Sequence, residues 1–327
     1  MNECYNWITN IRSLNLKSKS VLIVGFGYMG KEYFKALSEM GNRNVSIICL
    51  ENNVHDMKKI QAESYEKSLP QFEKKDLVIL ALPTKLLIPA AKLAIKNGQK
   101  NILIEKPGSL EQKELKKLRV KSQDIHIKIA YNRLFYPNLH KLKKLVKQDG
   151  GITSCNFSFT EWIHRLEFKK FDKEVLQKWG IQNSLHVISM AMDLIGMPKK
   201  ISINRKGYLK WHPTGNVFVG SGISKNNIPF TFNADWGSGG RWGIDVITKN
   251  NWYRLSPLEE LQVCPKNSTN WSQIAFKKEF PSVKQGIAEE IAYMLDPKIQ
   301  KKNEFITLQS AAEFIKLANK IFGYSKN

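Results

Sequence analysis

The sequence is poor in cysteine, poor in acid relative to base, and without a long apolar run. Its four cysteines, Cys4, Cys49, Cys155 and Cys264, stand far apart and form no Cys-x-x-Cys pair. That argues against a zinc site and a disulfide framework, so no metal is expected and a reducing cytoplasm fits. No stretch approaches the roughly 18 apolar residues a membrane helix needs, so no membrane partner is expected. Residues 1–20 scatter Trp7, Ile8, Ile11, Leu14 and Leu16 without a continuous apolar core, which reads as a short helix or arm rather than a secretory leader. Internal repeats and low-complexity linkers are also missing. The shortage of acid leaves a formal charge of +22. Its lysines are spread out, as in Lys58-Lys59, Lys74-Lys75, Lys116-Lys117 and Lys143-Lys144, mostly on polar faces of expected helices. With no nucleic-acid module in the chain, a nucleic-acid partner is not expected; an anionic small substrate, or a bias of the source, accounts for the charge.

What is present is enough apolar residue, 42% with 10% aromatic, for a globular protein of two domains. The chain is organised around Val21-Leu22-Ile23-Val24-Gly25-Phe26-Gly27-Tyr28-Met29-Gly30. An apolar run ends in Gly-x-Gly-x-x-Gly, and helical spacing follows through Phe34, Leu37 and Met40. Gly25 would make the turn, Gly27 would let a pyrophosphate approach, and Gly30 would let the helix sit close on the strand. Glycines also mark ordinary turns, so the alternative is a purely structural bend.

Strand and helix patterns then alternate as far as about 131. Strands are expected at 21–24, 45–50, 77–82, 101–105 and 125–130, and helical spacing at 56–68, 86–97 and 111–121. Continuous apolar runs such as 77–82 suit strands buried on both faces, so the expectation is a doubly wound parallel sheet with ligands at the carboxyl ends of its strands. Glu51 ends the second strand, 21 positions after Gly30. A carboxylate there accepts hydrogen bonds from ribose hydroxyls and repels a 2′-phosphate, favouring NAD over NADP; otherwise it is an exposed loop glutamate.

After Asn132 the pattern changes. Helices are expected at 139–146, 183–195, 285–295 and 308–322, and strands at 152–162, 200–211, 217–223, 230–236, 243–248 and 252–255. This predicts a second, α/β domain with a mainly antiparallel sheet, 133–327, following a dinucleotide-binding domain over 1–132.

Two residues suit proton transfer. Lys106, in Glu105-Lys106-Pro107, ends a strand of the first domain; desolvated beside a cationic nicotinamide it could exchange protons near neutrality, or it could be a solvated surface charge. His186, in Asn183-Ser184-Leu185-His186, begins an expected helix and could serve as acid or base, or simply as a packed, hydrogen-bonded histidine. Arg165, Lys178, Arg241 and Arg254 are candidate anion contacts on charge alone.

These residues resemble the glucose–fructose oxidoreductase / inositol dehydrogenase / MocA-like (Gfo/Idh/MocA) family. The resemblance rests on Gly25-Phe26-Gly27-Tyr28-Met29-Gly30, Ala81-Leu82-Pro83-Thr84, Glu105-Lys106-Pro107, Ala130-Tyr131-Asn132-Arg133 with Pro137, and His186 before Leu194-Ile195-Gly196. It implies a Rossmann domain plus an α/β domain whose open sheet serves a homo-oligomer, a dimer or tetramer. The implied activity is hydride transfer between NAD(P) and a carbon of a sugar or cyclitol. It implies cofactor contacts from Gly25, Phe26, Gly27, Tyr28, Met29, Gly30, Glu51, Leu82, Pro83, Thr84, Glu105 and Asn132. Substrate contacts are implied for Lys106, Tyr131, Arg133, Gln182, Asn183 and His186, with Lys106 and His186 catalytic. The chain departs from the family where an Asp often stands, at Gln182 and Ser189, so the helper carboxylate is missing. The Asn183-Ser184-Leu185-His186 form is similar to relatives of bacterial surface-sugar pathways, which implies a nucleotide-linked or acidic sugar. The rival functions are a non-enzymatic NAD-binding regulator and an NAD-assisted glycoside hydrolase.

Overall fold

The computed structural model describes residues 10–49, 65–66, 73–118, 125–302 and 306–324. The chain divides into two compact units, Met1–Phe135 with Lys277–Glu313, and Tyr136–Phe276 with Phe314–Asn327.

The first unit is built on a parallel sheet. Its strands are β1 (Val21–Val24), β2 (Val45–Ile48), β3 (Tyr65–Glu66), β4 (Leu77–Leu80), β5 (Asn101–Glu105) and β6 (His126–Ala130). The helices between them are α1 (Tyr28–Glu39), α2 (Thr84–Lys96) and α3 (Gln112–Lys117). Every residue of β1 and β4 is buried, which explains why these strands read as unbroken apolar runs rather than as alternation. The strand order is β3-β2-β1-β4-β5-β6 and all pairs are parallel. The chain winds outward from β1 in one direction, then crosses back to β4 and winds outward in the other. The crevice beyond the carboxyl ends of β1 and β4 is therefore the switch point of a doubly wound sheet, the place where such sheets bind ligands.

Local differences have physical causes. Helical spacing over 56–68 is overridden at Tyr65–Glu66, where pairing with Ile47 and Ile48 adds a strand at the sheet edge. The third apolar run leaves the sheet after Leu80, because Pro83 takes an extended conformation (φ −53°, ψ 144°) at the N-cap of α2.

Lys277–Glu313 returns to this unit. Helix α7 (Ile287–Leu295), followed by α8 (Pro297–Lys302), is buried at every residue. Its Ile287, Ile291 and Tyr293 share one core with Tyr33, Ala36 and Leu37 of α1 and with Ile11 and Leu16. The apolar residues of this helix, spread around it, need such a covered position, and its two acids, Glu289 and Glu290, are buried with them. Ahead of it, the Glu279 carboxylate accepts the backbone N–H groups of Ile11 and Arg12, and the Arg12 guanidinium lies 4.5 Å from the Phe280 ring centre.

The second unit carries α4 (Pro137–Gln148), β7 (Ser154–Phe159), α5 (Lys173–Gln177), a π-helical turn (Gly180–Ser184) and α6 (Leu185–Ile195). Then follow β8 (Pro198–Lys206), β9 (Val217–Ser224), β10 (Pro229–Asp235), β11 (Trp242–Ile247), β12 (Asn251–Leu255), β13 (Gln262–Pro265) and β14 (Ser272–Gln273). The last helix of the chain is α9 (Leu308–Phe322). The sheet runs β14-β13-β12-β11-β7-β10-β9-β8; only the β7–β10 pair is parallel among the described residues. The first strand after α6 stops at Lys206, short of 211, because Gly207 turns the chain with φ +82°. β13 and β14 were not expected from the sequence. The covered face packs Phe157, Phe159, Phe230 and Phe232, with ring centres 5.6–6.2 Å apart. At Gly220 and Gly222 an added Cβ would strike the Phe232 and Phe230 rings, so the aromatic layer lies flat on β9 only because those positions are glycine. Burial of each ring contributes about 1.5–3 kcal/mol.

Candidate active site

The glycine loop starts where β1 ends. Gly25 has φ +95°, and a Cβ there would collide with the Ala81 carbonyl and with Leu82. Its N–H donates to Ile48 O at 2.8 Å. Gly25 is thus held between the ends of β2 and β4, a place closed to any side chain. At Gly30 a Cβ would collide with the Gly25 carbonyl, so helix α1 can approach its own turn only with glycine there. Gly27 is different. It caps α1 with φ −71°, and nothing lies within 4 Å of where its Cβ would stand. The crowding that demands glycine at 25 and 30 is absent at 27; there the backbone is open.

This opening suits the pyrophosphate of a dinucleotide. The first N–H groups of α1 have no acceptor within the helix, and the helix dipole adds positive potential. No acidic side chain occupies its first turn. Lys284, from the segment before α7, adds a cation: its ammonium lies 4.9 Å from the centre of the exposed Tyr28 ring and 3.4 Å from Met29 Sδ. Phe26 turns inward and packs edge-on against Phe34.

Strand register places the other expected residues of this unit along the same sheet end. Val24 pairs with Leu80, Leu80 with Ile104, and Glu105 with Ala130. Leu82 and Thr84 are buried and half-buried, and Pro83 is exposed. Lys106 follows β5 and is half-buried. Asn132 is buried and its amide donates to Gln285 O at 3.0 Å; Arg133 is half-buried. Tyr131 is fully buried, and burial pushes its hydroxyl upward in pKa. Glu51 lies outside the described residues.

Behind Lys106 lies a buried acid network that the sequence did not suggest. The Tyr33 hydroxyl is within hydrogen-bond reach of two carboxylates, Glu105 Oε1 at 2.8 Å and Glu290 Oε2 at 3.3 Å. Burial raises the pKa of Glu105, while the Tyr33 hydrogen bond and the charges of Lys106 and Lys284 pull it back. Glu290 is pushed well above the usual carboxylate range by burial and by Glu105, and its Oε1 has no hydrogen-bond partner. The two acids cannot both ionise at low cost so close together; Glu290 holds the proton and Glu105 carries the charge that faces the two lysines. Tyr33 lies three residues beyond Gly30, on the face of α1 turned to the core. Its spacing was visible; its carboxylate partners, 72 and 257 residues away, were not.

In the second unit, His186 is the second residue of α6, half-buried, with its ring 5.9 Å from that of Trp242. The π turn before it is pinned at both ends. The Gly180 N–H donates to Tyr324 Oη at 2.9 Å, and Tyr324 Oη lies 2.6 Å from His212 Nε2. His212 Nδ1 faces the Gly215 carbonyl at 2.8 Å, so it carries the proton and Nε2 accepts from Tyr324. Burial lowers the His212 pKa to about 4, which keeps that ring neutral. At the other end, buried Glu161 accepts the Ser184 hydroxyl at 2.7 Å and the Asn183 amide at 2.8 Å. Glu161 follows β7, and it brings a carboxylate to the segment where Gln182 and Ser189 stand in place of Asp. Gln182 and Asn183 are half-buried. Ser189 turns back to donate to His186 O at 3.2 Å.

Of the four candidate anion contacts, Arg241 lies 3.8 Å from Glu161, Lys178 lies 3.8 Å from Glu174, and Arg254 is bound to Asp245 at 2.7 Å. Arg165 stacks on Trp162.

Comparison with known proteins agrees with this architecture. Residues 19–126 match the model of the oxidoreductase family with an NAD-binding Rossmann fold, GFO_IDH_MocA. No curated protein matches the chain. Among solved structures, a UDP-N-acetylglucosamine 3-dehydrogenase from Acidithiobacillus ferrooxidans superposes with a TM-score of 0.73 at 14% identity, covering 94% of this chain and 98% of its own. An oxidoreductase from Agrobacterium radiobacter, solved with NAD+, L-tartaric acid and magnesium, gives 0.76 at 12% identity over 94% and 96%. A levoglucosan dehydrogenase, solved with NADH and levoglucosan, gives 0.73 at 16% over 93% and 96%. At such identities these likenesses establish the fold, over 93–94% of the chain. Over residues 19–126, which hold the glycine loop and the sheet behind it, the chain is similar to the Gfo/Idh/MocA oxidoreductases and their NAD-binding Rossmann fold.

Proposed function

We propose that the protein is an NAD-dependent oxidoreductase that moves a hydride between nicotinamide and a hydroxyl- or keto-bearing carbon of a sugar. The observation that carries this proposal is the arrangement along one sheet end: a glycine turn open only at Gly27, and Lys106 following β5. NAD, when bound, supplies the hydride acceptor. The glycine turn and the start of α1 would hold its pyrophosphate, with Lys284 adding charge. Lys106 would take the hydroxyl proton as the carbinol is oxidised and return it in reduction. Glu105 sets the field at Lys106, and the Tyr33 hydrogen bond stabilises that carboxylate in its charged form. His186 would assist the proton, on a turn that Glu161 and Tyr324 hold in place. The sugar-acting names among the structural likenesses support the substrate class. NAD rather than NADP rests on Glu51.

The test is a panel of sugars assayed for NADH formation, with Lys106→Ala beside the wild type. The expected outcome is retained NADH binding with turnover reduced by about two to four orders of magnitude, the usual weight of a positioned acid–base group. Unchanged turnover in Lys106→Ala would overturn the assignment of Lys106. NADH binding with no hydride exchange from any sugar would favour a non-enzymatic NAD-binding protein.

A further inference from the structure

Lys284 stands between two features of the first unit, the glycine turn and the buried acid network. Its ammonium lies 3.4 Å from Met29 Sδ and 4.9 Å from the centre of the Tyr28 ring, at the amino end of α1. Its charge also acts on Glu105 and favours the ionised carboxylate against burial. Local geometry accounts for both roles. Gln285 O accepts the Asn132 amide at 3.0 Å, which sets the segment of Lys284 beyond the carboxyl end of β6. There β6 pairs Ala130 with Glu105 of β5. Met29 and Tyr33 stand one helical turn apart on a shared face of α1. Met29 meets the Lys284 ammonium, and the Tyr33 hydroxyl donates to Glu105.

The hydrogen bonds of the network fix where its next proton can go. Tyr33 has a single hydroxyl hydrogen and gives it to Glu105, the nearer carboxylate, at 2.8 Å. Glu290 Oε2, at 3.3 Å, is then left to donate to Tyr33 Oη, as a protonated acid does. Glu290 Oε1 is buried without a hydrogen-bond partner, which costs less for the carbonyl of a neutral acid than for a carboxylate oxygen. Glu290 therefore already holds a proton, and Glu105 is the member able to take one. Facing Glu105 are Tyr33 from α1, Glu290 from α7, Lys106 beside it after β5, and Lys284 ahead of α7; Glu289 acts on Glu290 from the same helix. Its two counter-charges are lysines, and one of them also serves the glycine turn.

We propose that Lys284 couples the glycine turn to this network: an anion bound at the turn engages the charge of Lys284, and Glu105 then takes up a proton from solvent. The proposal rests on the cofactor-binding role given to the turn above and adds a regulation of that site. The balance is one proton gained by the Glu105 carboxylate and one lost by the buffer. The pyrophosphate of a dinucleotide stays fully ionised near neutrality, so the proton goes to the protein. By linkage, uptake on binding makes the affinity fall as pH rises through the range in which Glu105 titrates. Neutralising Glu105 also removes an interaction that favours the ammonium form of Lys106, so an occupied turn readies Lys106 to accept a proton.

Calorimetric titration of the full chain with NADH and with ADP-ribose, in buffers of different ionisation enthalpy, counts the protons taken up on binding. Between about pH 5 and about pH 8 the wild type should take up a fraction of a proton, about half at the maximum for a tenfold change in the proton affinity of Glu105. ADP-ribose should match NADH, because Lys284 responds to the pyrophosphate and not to the nicotinamide. Lys284→Met should cut the uptake to roughly half or less. Glu105→Gln should abolish it. Tyr33→Phe should move its maximum to higher pH, since Glu105 then loses a hydrogen bond that favours its charge. Lys284 is half-buried, so Lys284→Met decides the matter even if the two buried variants fold poorly. Binding to wild type without uptake, uptake undiminished in Lys284→Met or persisting in Glu105→Gln, or uptake with NADH but not with ADP-ribose would overturn the coupling alone. Failure of both ligands to bind would overturn the cofactor-binding role of the turn and the coupling with it.

Discussion

Three glycines in one loop obey three different constraints. Gly25 and Gly30 are glycine because the protein's own backbone fills the space where a Cβ would go, and Gly25 also carries a positive φ. Gly27 has no such internal reason. A residue kept small where nothing crowds it leaves room for something that comes from outside. Lys284 makes a related point from the far end of the first unit. Its ammonium sits over Tyr28 and beside Met29 at the amino end of α1, where an anionic ligand would complete its surroundings. Lys284→Met removes one charge and nearly keeps the volume. It should weaken NADH binding by roughly threefold to tenfold, the range of one charge-assisted contact of about 1 kcal/mol, measured by fluorescence titration. Equal affinity would show that this lysine serves only Glu105.

At the scale of elements, α7 shows how a helix can be legible while its place is not. Its apolar spacing was plain in the sequence, but that spacing says nothing about which sheet will cover it. Only the shared core with α1 shows that Lys277–Glu313 belongs to the first unit. The parallel strands were legible because burial on both faces demands continuous apolar runs, and the glycine turn because its geometry admits one residue type. The Glu105–Tyr33–Glu290 network, the π turn and the Glu161 carboxylate depend on partners far away in the chain, and no local spacing encodes them. β13 and β14 are short strands at one end of the sheet, whose pairing supplies what their composition lacks.

The same helix carries a pH signature. Burial, with Glu279 nearby, raises the Glu289 pKa from the ordinary 4.5 to about 7, against backbone N–H groups that lower it. The folded protein therefore holds a proton that the unfolded chain releases. The stability this group contributes is complete below about pH 4.5 and is lost as pH rises through about 7. Its full loss would amount to about 3 kcal/mol. Glu105 and Glu290 are raised in the same direction and add to the slope. Glu289→Gln should flatten the fall in Tm across that window without removing it. A slope identical to wild type would mean that Glu289 ionises freely in the fold.

Over the whole molecule, the charge of +22 finds no single outlet. Part of it gathers around the glycine turn and β5, where Lys106 and Lys284 both act on the Glu105 carboxylate. The fold is similar to that of proteins named as dehydrogenases, at identities that establish only the fold. The proposed use of NAD rests on the loop after β1, and that loop can be tested without knowing the substrate.

The most direct measurement is a paired NADH titration and thermal melt of wild type and Gly27→Ala. A methyl group at position 27 meets no protein atom within 4 Å, and its backbone (φ −71°) suits alanine, so Tm should stay close to wild type. The methyl would stand where the pyrophosphate must approach, so NADH affinity should fall by roughly tenfold or more, about 1.4 kcal/mol. An unchanged affinity in a stably folded Gly27→Ala, or a wild type that does not bind NADH, would contradict the account.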